Sequence, residues 1–192
     1  MPRVLVPLAE GFEEIEAVTV VDLLRRAGIE VHTASLDGPR VTGSHGVTVL
    51  ADQALDAVAE DDYDMIVLPG GMPGAKHLKD DPRVISLLRR YAAEGRFTAA
   101  ICAAPSVLAH AGLLEERAAT SFPGFLSAES APGIRLCDDA VVVDGKVVTS
   151  RGAGTAMEFG LALIGLLAGA DARRQVEERL QLSRGWGIGD GG

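Results

Sequence analysis

The chain has 192 residues, 47% hydrophobic and 4% aromatic, with 18 Lys and Arg against 27 Asp and Glu for a formal charge of −9. That balance excludes a surface that holds nucleic acid or anionic membrane by bulk charge, because both need a basic footprint. The length suits one domain with ample core, and the excess of Ala, Val, Leu and Gly over aromatics is what tightly wound α/β sheets use.

Val4 to Leu8 reads as a short buried strand. Glu13 to Ala27 has helical periodicity through Ile15, Val18, Val21, Leu23 and Leu24 and closes at Gly28. Ile29 to Ser35 is the next strand, Asp37-Gly38-Pro39 turns the chain, and Val47 to Leu50 pairs with Val41 across the loop Gly43 to Gly46. Met65 to Leu68 is a parallel-type strand that runs into Pro69-Gly70-Gly71-Met72-Pro73-Gly74, where glycines permit close backbone approaches. Helix Pro82 to Glu94 opens on proline and ends at Gly95, and Phe97 to Ile101 is the strand that leads to Cys102.

Right-handed crossovers turn this order into a mostly parallel sheet with helices on both faces and sites at the carboxyl ends of the strands. After a less regular section, Leu114 to Gly133, the runs Ala140 to Val143 and Lys146 to Thr149 flank Asp144-Gly145, a two-residue hairpin signal. Thr155 to Leu167 and Asp171 to Leu182 read as two helices. The apolar run Phe159 to Ala170, interrupted by Gly160, Gly165 and Gly169, falls short of about twenty residues and reads as a buried helix. Ser183 to Gly192 reads as a flexible Gly-rich tail, so that the domain spans 1–182; Trp186 in that tail is a candidate cover for a dimer or pocket surface.

Cys102 sits where the apolar run Thr98 to Ile101 passes through Ala103 and Ala104 into a helix opened by Pro105. That is the outline of a nucleophile elbow, which lifts a side chain out of the sheet and aims free amides at it, favouring thiolate. The alternative is packing, since free cysteine is among the most buried residue types. The other cysteine, Cys137, precedes Asp138 and Asp139, whose charge disfavours thiolate, and is expected to be inert. Two cysteines are too few for a disulfide scaffold and the first residues lack a signal-type segment, so the expected compartment is the cytoplasm. No pair of His or Cys has metal-ligand spacing, and no metal or cofactor is expected; His32, His77 and His110 read as structural or exposed.

Four segments, Leu8-Ala9-Glu10-Gly11-Phe12-Glu13-Glu14-Ile15-Glu16, Val67-Leu68-Pro69-Gly70-Gly71, Ala100-Ile101-Cys102-Ala103-Ala104-Pro105 and Thr149-Ser150-Arg151-Gly152-Ala153-Gly154-Thr155, resemble the ThiJ/PfpI superfamily. They look most like the branch of the Parkinson's-disease deglycase and chaperone, on the side of its bacterial YajL-like members. The resemblance implies a flavodoxin-like, class I glutamine amidotransferase-like three-layer sandwich, a homodimer, Cys102 as reactive thiol and Glu16 as the carboxyl beside it. A protonated Glu16 can donate to the thiolate; the alternative for Glu16 is a solvated helix-face acid. Glu13 is carried over as a pocket-edge acid, while Glu14 is expected to face solvent. Amides of Gly70, Gly71 and Ala103 would hold an oxyanion. His45 aligns with a basic residue that approaches the site from the dimer partner, and Arg151 with a segment that borders the pocket.

Two departures bear on function. Ala103 stands where the protease branch has histidine, which disfavours a peptidase. Phe122, in Thr120-Ser121-Phe122-Pro123, replaces the histidine of human-type members, and Asp22 aligns with the acid that would have oriented it. The expected function is a cysteine-dependent stress-protection enzyme acting on reactive carbonyls or on glycated amines and thiols, as deglycase or cofactor-independent glyoxalase. The alternative is a redox sensor or chaperone that uses oxidation of Cys102 and has misfolded proteins as partners.

Overall fold

The computed structural model describes residues 1–182, so the expected tail from Ser183, with Trp186, lies outside the described residues. The strands are β1 (Arg3–Leu8), β2 (Glu30–Ser35), β3 (Arg40–Thr42), β4 (Thr48–Leu50), β5 (Gln53–Ala54), β6 (Met65–Leu68), β7 (Phe97–Ile101), β8 (Ala118–Ala119), β9 (Arg135–Leu136), β10 (Val141–Asp144) and β11 (Val147–Ser150). The helices are α1 (Glu14–Arg26), α2 (Leu55–Val58), α3 (Gly74–Asp80), α4 (Pro82–Ala93), α5 (Pro105–His110) and α6 (Ala156–Leu180).

Seven strands form one sheet in the order β10-β11-β7-β6-β1-β2-β5. All its pairings are parallel except that of β10 with β11. Its parallel core, β2-β1-β6-β7-β11, is the 2-1-3-4-5 order of flavodoxin-like sheets. Side chains alternate across each strand. Leu5, Ile66, Leu68 and Ala100 face the layer that includes Val84 and Leu88 of α4 and Val107 of α5. Val4, Val6, Met65, Val67 and Ile101 face Val20, Leu23 and Leu24 of α1 and Phe159, Leu163 and Ile164 of α6. The three expected layers are therefore present, with the carboxyl ends of β6 and β7 side by side.

Local readings shift in three places. Asp144 pairs with Val147, so the hairpin turn is Gly145-Lys146, one residue beyond the expected Asp144-Gly145. Asp144 is held in the ladder because its carboxylate accepts from the Ala118 amide at 2.8 Å and pairs with Arg117, leaving Gly145 to supply the positive φ of 61°. α3 was invisible because only Ala75 and Leu78 of its seven residues are apolar and buried, too few for a period. The two expected C-terminal helices are one, bent at Gly169 with φ 88°. The stretch Ala153–Leu180 is long and apolar enough to cross a membrane by length and composition, and 33% of its most apolar window is buried. The buried-helix expectation thus holds only for the face that packs on the sheet and α1.

Gly160 lets α1 and α6 approach: a Cβ there would lie 2.6 Å from Leu23 Cδ1, and Leu23 is fully buried with no room to yield. Overpacking of this kind costs about 1–3 kcal/mol. Gly160→Val is therefore expected to lower unfolding free energy in urea by that amount, whereas an unchanged midpoint would mean that the two helices can separate freely.

Candidate active site

β7 is buried from Thr98 onward, and the chain leaves it at Cys102 with φ 65°, a left-handed conformation that a residue with a Cβ adopts only where its surroundings enforce it. Two hydrogen bonds do so: the Cys102 amide donates to Ser150 O at 3.0 Å, and the Phe122 amide donates to Cys102 O at 2.9 Å. The side chain is thereby turned out of the sheet at its carboxyl end, as the elbow reading expected. Around the half-buried thiol lie the Glu16 carboxyl and the amides of Ala103 and Gly71.

Glu16 reaches this point because α1 is pinned to the loop after β6. The Glu13 amide donates to Gly70 O at 2.9 Å, and a Cβ on Gly71 would lie 2.3 Å from Glu13 N. Glu16 is fully buried; its Oε2 accepts from the Gly70 amide at 2.7 Å, while Oε1 has no hydrogen-bond partner. Gly70 must lack a side chain, since a Cβ would lie 2.6 Å from Glu16 Oε2 and 2.8 Å from Cys102 Cβ. This corrects one assignment: the Gly70 amide is spent on Glu16, so the amides of Gly71 and Ala103 are left for an oxyanion.

Burial pushes the Glu16 carboxyl up to about 7, aided by the charge of Glu13 and opposed by hydrogen bonds from Cys102 and Gly70. Burial, followed by the charge and hydrogen bonding of Glu16, pushes the thiol up to about 12 despite the Ala103 and Gly71 amides. The expected depression of the thiol by the elbow helix is therefore not met, because burial outweighs the amides. Thiolate belongs to the arrangement in which Glu16 holds the proton, and burial makes protonated Glu16 accessible at neutral pH.

Glu14 does not face solvent as expected. Burial opposes its ionisation, but the amides of Glu14, His45 and Val47 and the His45 ring outweigh that and hold its carboxyl down at about 2. The His45 amide donates to Glu14 Oε1 at 2.7 Å, and Glu14 packs against Gly43, where a Cβ would lie 2.3 Å from Glu14 Cδ. This acid clamps the β3–β4 turn to α1; its signal would have been a carboxylate opposite a tight Gly-Ser-His-Gly turn, which no local spacing reveals. His45 Nδ1 is 3.2 Å from Glu14 Oε2 and 3.4 Å from Glu13 Oε2, on the same chain. Ligand atoms of Glu13, Glu14 and His45 lie within 4.8 Å of one another, a cluster that sequence spacing conceals.

Phe122 sits beside the elbow, half exposed, with its ring edge-on to Phe125. Arg151 anchors a loop, its Nη1 donating to Asp138 O at 2.9 Å. Asp22 is not orphaned by the missing histidine, because it pairs with Arg26 one turn along α1 at 2.6 Å. His32 meets the Tyr63 hydroxyl at 2.8 Å and His77 meets Glu10 O at 3.0 Å, both away from Cys102. Cys137 donates to Arg135 O at 3.5 Å and is remote in sequence and strand from the site.

The DJ-1/PfpI family model matches residues 2–166. The protein dj-1beta of Drosophila melanogaster is 42% identical over 178 residues, 92% of this chain and 95% of the relative. Its crystal structure superposes with TM-score 0.90 at 40% identity, covering 95% of this chain and 98% of that one. The DJ-1 homolog A of Arabidopsis thaliana is 39% identical over 181 residues, 93% of this chain; the chain spans 46% of that relative's length. A deglycase of Pyrococcus horikoshii is 36% identical over 149 residues, 78% of this chain and 89% of the relative.

With Glu16 near 7 when folded and 4.5 when free, the folded chain retains a proton that the unfolded chain loses between those values, and stability falls as pH rises through that window. Glu16→Gln removes this loss. Its melting temperature relative to the parent is expected to rise between about pH 5 and about pH 8; a constant difference would show that Glu16 ionises as it does in water.

Proposed function

The chain belongs to the DJ-1/PfpI family, and from that premise we propose that it is a cysteine-dependent stress-protection enzyme that acts on reactive carbonyls. Its substrates are α-oxoaldehydes such as methylglyoxal, or the adducts these form with amines and thiols. The observation that carries this reading is the Cys102–Glu16 pair: a nucleophile at an elbow, a buried carboxyl able to take its proton, and two amides left open for an oxyanion. A relative named as a deglycase supports it.

As sulfur attacks the aldehyde carbon, the thiol proton passes to Glu16 and the carbonyl electron pair moves to oxygen, which the Gly71 and Ala103 amides hold. Glu16 then returns the proton, completing a hemithioacetal. From an amine adduct, the same attack expels the amine, which leaves with the proton. Glu16 next moves a proton from the former aldehyde carbon to the neighbouring keto carbon while the hydroxyl proton passes to the keto oxygen, giving a lactyl thioester. Water cleaves that to lactate and the free thiol, so that methylglyoxal plus water gives lactate with no external oxidant or reductant. Proton transfer needs no imidazole at position 122.

A second reading is favoured by the same absence of a histidine: a buried carboxyl that can be protonated beside Cys102 also suits a sensor or chaperone in which the sulfur is oxidised by peroxide and held by protonated Glu16. For assembly, the exposed apolar residues Ile15 and Val18 on α1 and Val47 and Leu50 on the clamped hairpin favour a second copy as cover. A homodimer through this face would set His45, at the edge of the same hairpin, beside the partner.

Cys102→Ser is expected to reduce lactate formation from methylglyoxal to background and Glu16→Gln to lower it by about 100-fold, the scale of a lost general acid–base; undiminished turnover by Cys102→Ser would overturn the mechanism. Val18→Asp is expected to give monomers in light scattering, and a retained dimer would place the interface elsewhere.

A further inference from the structure

The rim of the Cys102 site is built from apolar groups whose charged neighbours are already engaged. Phe122 N–H donates to Cys102 O, fixing the backbone of Phe122 against the elbow. From there Pro123 and Gly124, with φ 91°, make a turn closed by the Phe125 amide on Phe122 O at 3.2 Å. Pro followed by a positive-φ Gly is the type II signature, and the turn brings the two rings together at 6.2 Å and 74°. The ring of Phe122 also lies over Gly152, whose Cβ, were there one, would be 3.7 Å from Cδ2.

This geometry leaves Phe122 50% exposed next to the nucleophile. Met72, 48% exposed, directly follows Gly71, whose amide faces the thiol. Arg151 is taken up by Asp138, and Glu13 by Ser44 and His45. Among the described residues, then, the exposed side chains on the segments that bond or donate to the elbow are an aromatic ring and a thioether, and the arginine after Ser150 is already paired. Such a rim rewards a flat or apolar substituent and gives nothing to a carboxylate or phosphate.

We propose that Phe122 and Phe125 form the specificity wall of the Cys102 site, which selects α-oxoaldehydes bearing an aromatic or bulky apolar substituent over methylglyoxal. The inference rests on the carbonyl-enzyme reading for its substrate class, but the wall itself is a property of any electrophile that reaches Cys102. Edge-to-face or stacked contact with one ring corresponds to a preference of about threefold to tenfold.

The test uses the full chain in two assays. The first compares kcat/KM for phenylglyoxal and methylglyoxal, each divided by its rate of addition to N-acetylcysteine to remove intrinsic electrophilicity. The second compares alkylation of Cys102 by N-phenylmaleimide and N-ethylmaleimide, corrected in the same way and read by peptide mass to separate Cys102 from Cys137. Both are repeated with Phe122→Ser and Phe122→Leu, whose exposed positions leave the fold in place. A phenyl preference of about threefold to tenfold that falls to about one in Phe122→Ser and is only partly restored in Phe122→Leu supports the wall. A Phe122-dependent preference in alkylation without turnover of either aldehyde supports the wall and removes the enzyme reading. A corrected preference at or below one in alkylation, or one untouched by Phe122→Ser, overturns the wall even where turnover is rapid.

Discussion

The contact on which the site depends is the approach of Glu16 to Cys102 across Gly70. Three backbones converge there: the loop after β6, the elbow after β7 and the first turn of α1. No side chain fits between them, as the 2.6 Å and 2.8 Å separations that a Cβ on Gly70 would have from Glu16 and Cys102 show. Removing that methyl lets a carboxyl be buried within reach of a thiol, and the Gly70 amide repays part of its lost hydration at 2.7 Å. The rest of the architecture serves this approach. Gly71 accepts a positive φ so that α1 can start against the loop, and Gly160 lets α6 press α1 onto the sheet.

Two buried acids at the start of α1 have opposite electrostatic fates although they are neighbours but one in sequence. Glu14 is surrounded by donors, which hold it ionised at about 2 and make it a clamp. Glu16 has one amide, one unpaired oxygen and a thiol, and burial raises it to about 7. Only the second can exchange a proton near neutral pH, which is what a nucleophile without a histidine needs. The replacement at position 122 therefore has two consequences. In the proposed mechanism proton handling falls to Glu16, and the residue hydrogen-bonded to the elbow carbonyl, Phe122, is apolar.

Much of this was legible in the residues. The unbroken apolar runs Val4-Leu5-Val6 and Met65-Ile66-Val67-Leu68 stand out because parallel strands here bury both faces, and the elbow shows as a cysteine between an apolar run and Pro105. The family resemblance supplied Glu16 as the partner of Cys102, which composition alone would leave on a solvated helix face. What stayed hidden depends on long-range contacts. Glu14 looks solvent-facing until the Gly43 to Gly46 turn folds onto it, whereas the Asp22–Arg26 pair is local, four residues apart on α1. The register of the β10–β11 turn is set by Asp144 bonding to Ala118, twenty-six residues upstream, and no local pattern encodes that. The assignment of the Gly70 amide failed for the same reason: the loop predicted a donor, but only the packed fold shows which acceptor takes it.

The central claim is that buried Glu16 exchanges a proton near neutral pH beside a thiol that keeps its own, so that its carboxylate is the base for Cys102. Difference infrared spectroscopy across the transition near 7 tests it most directly, following the carboxyl C=O band that Glu16→Gln removes and the S–H band that Cys102→Ser removes. The account predicts that the carboxyl band is lost across that transition while the S–H band persists and shifts as the charge of Glu16 appears beside it. A carboxyl band already absent at about pH 5, or an S–H band lost together with it, would contradict the account, because Glu16 would then not be the group that takes the thiol proton.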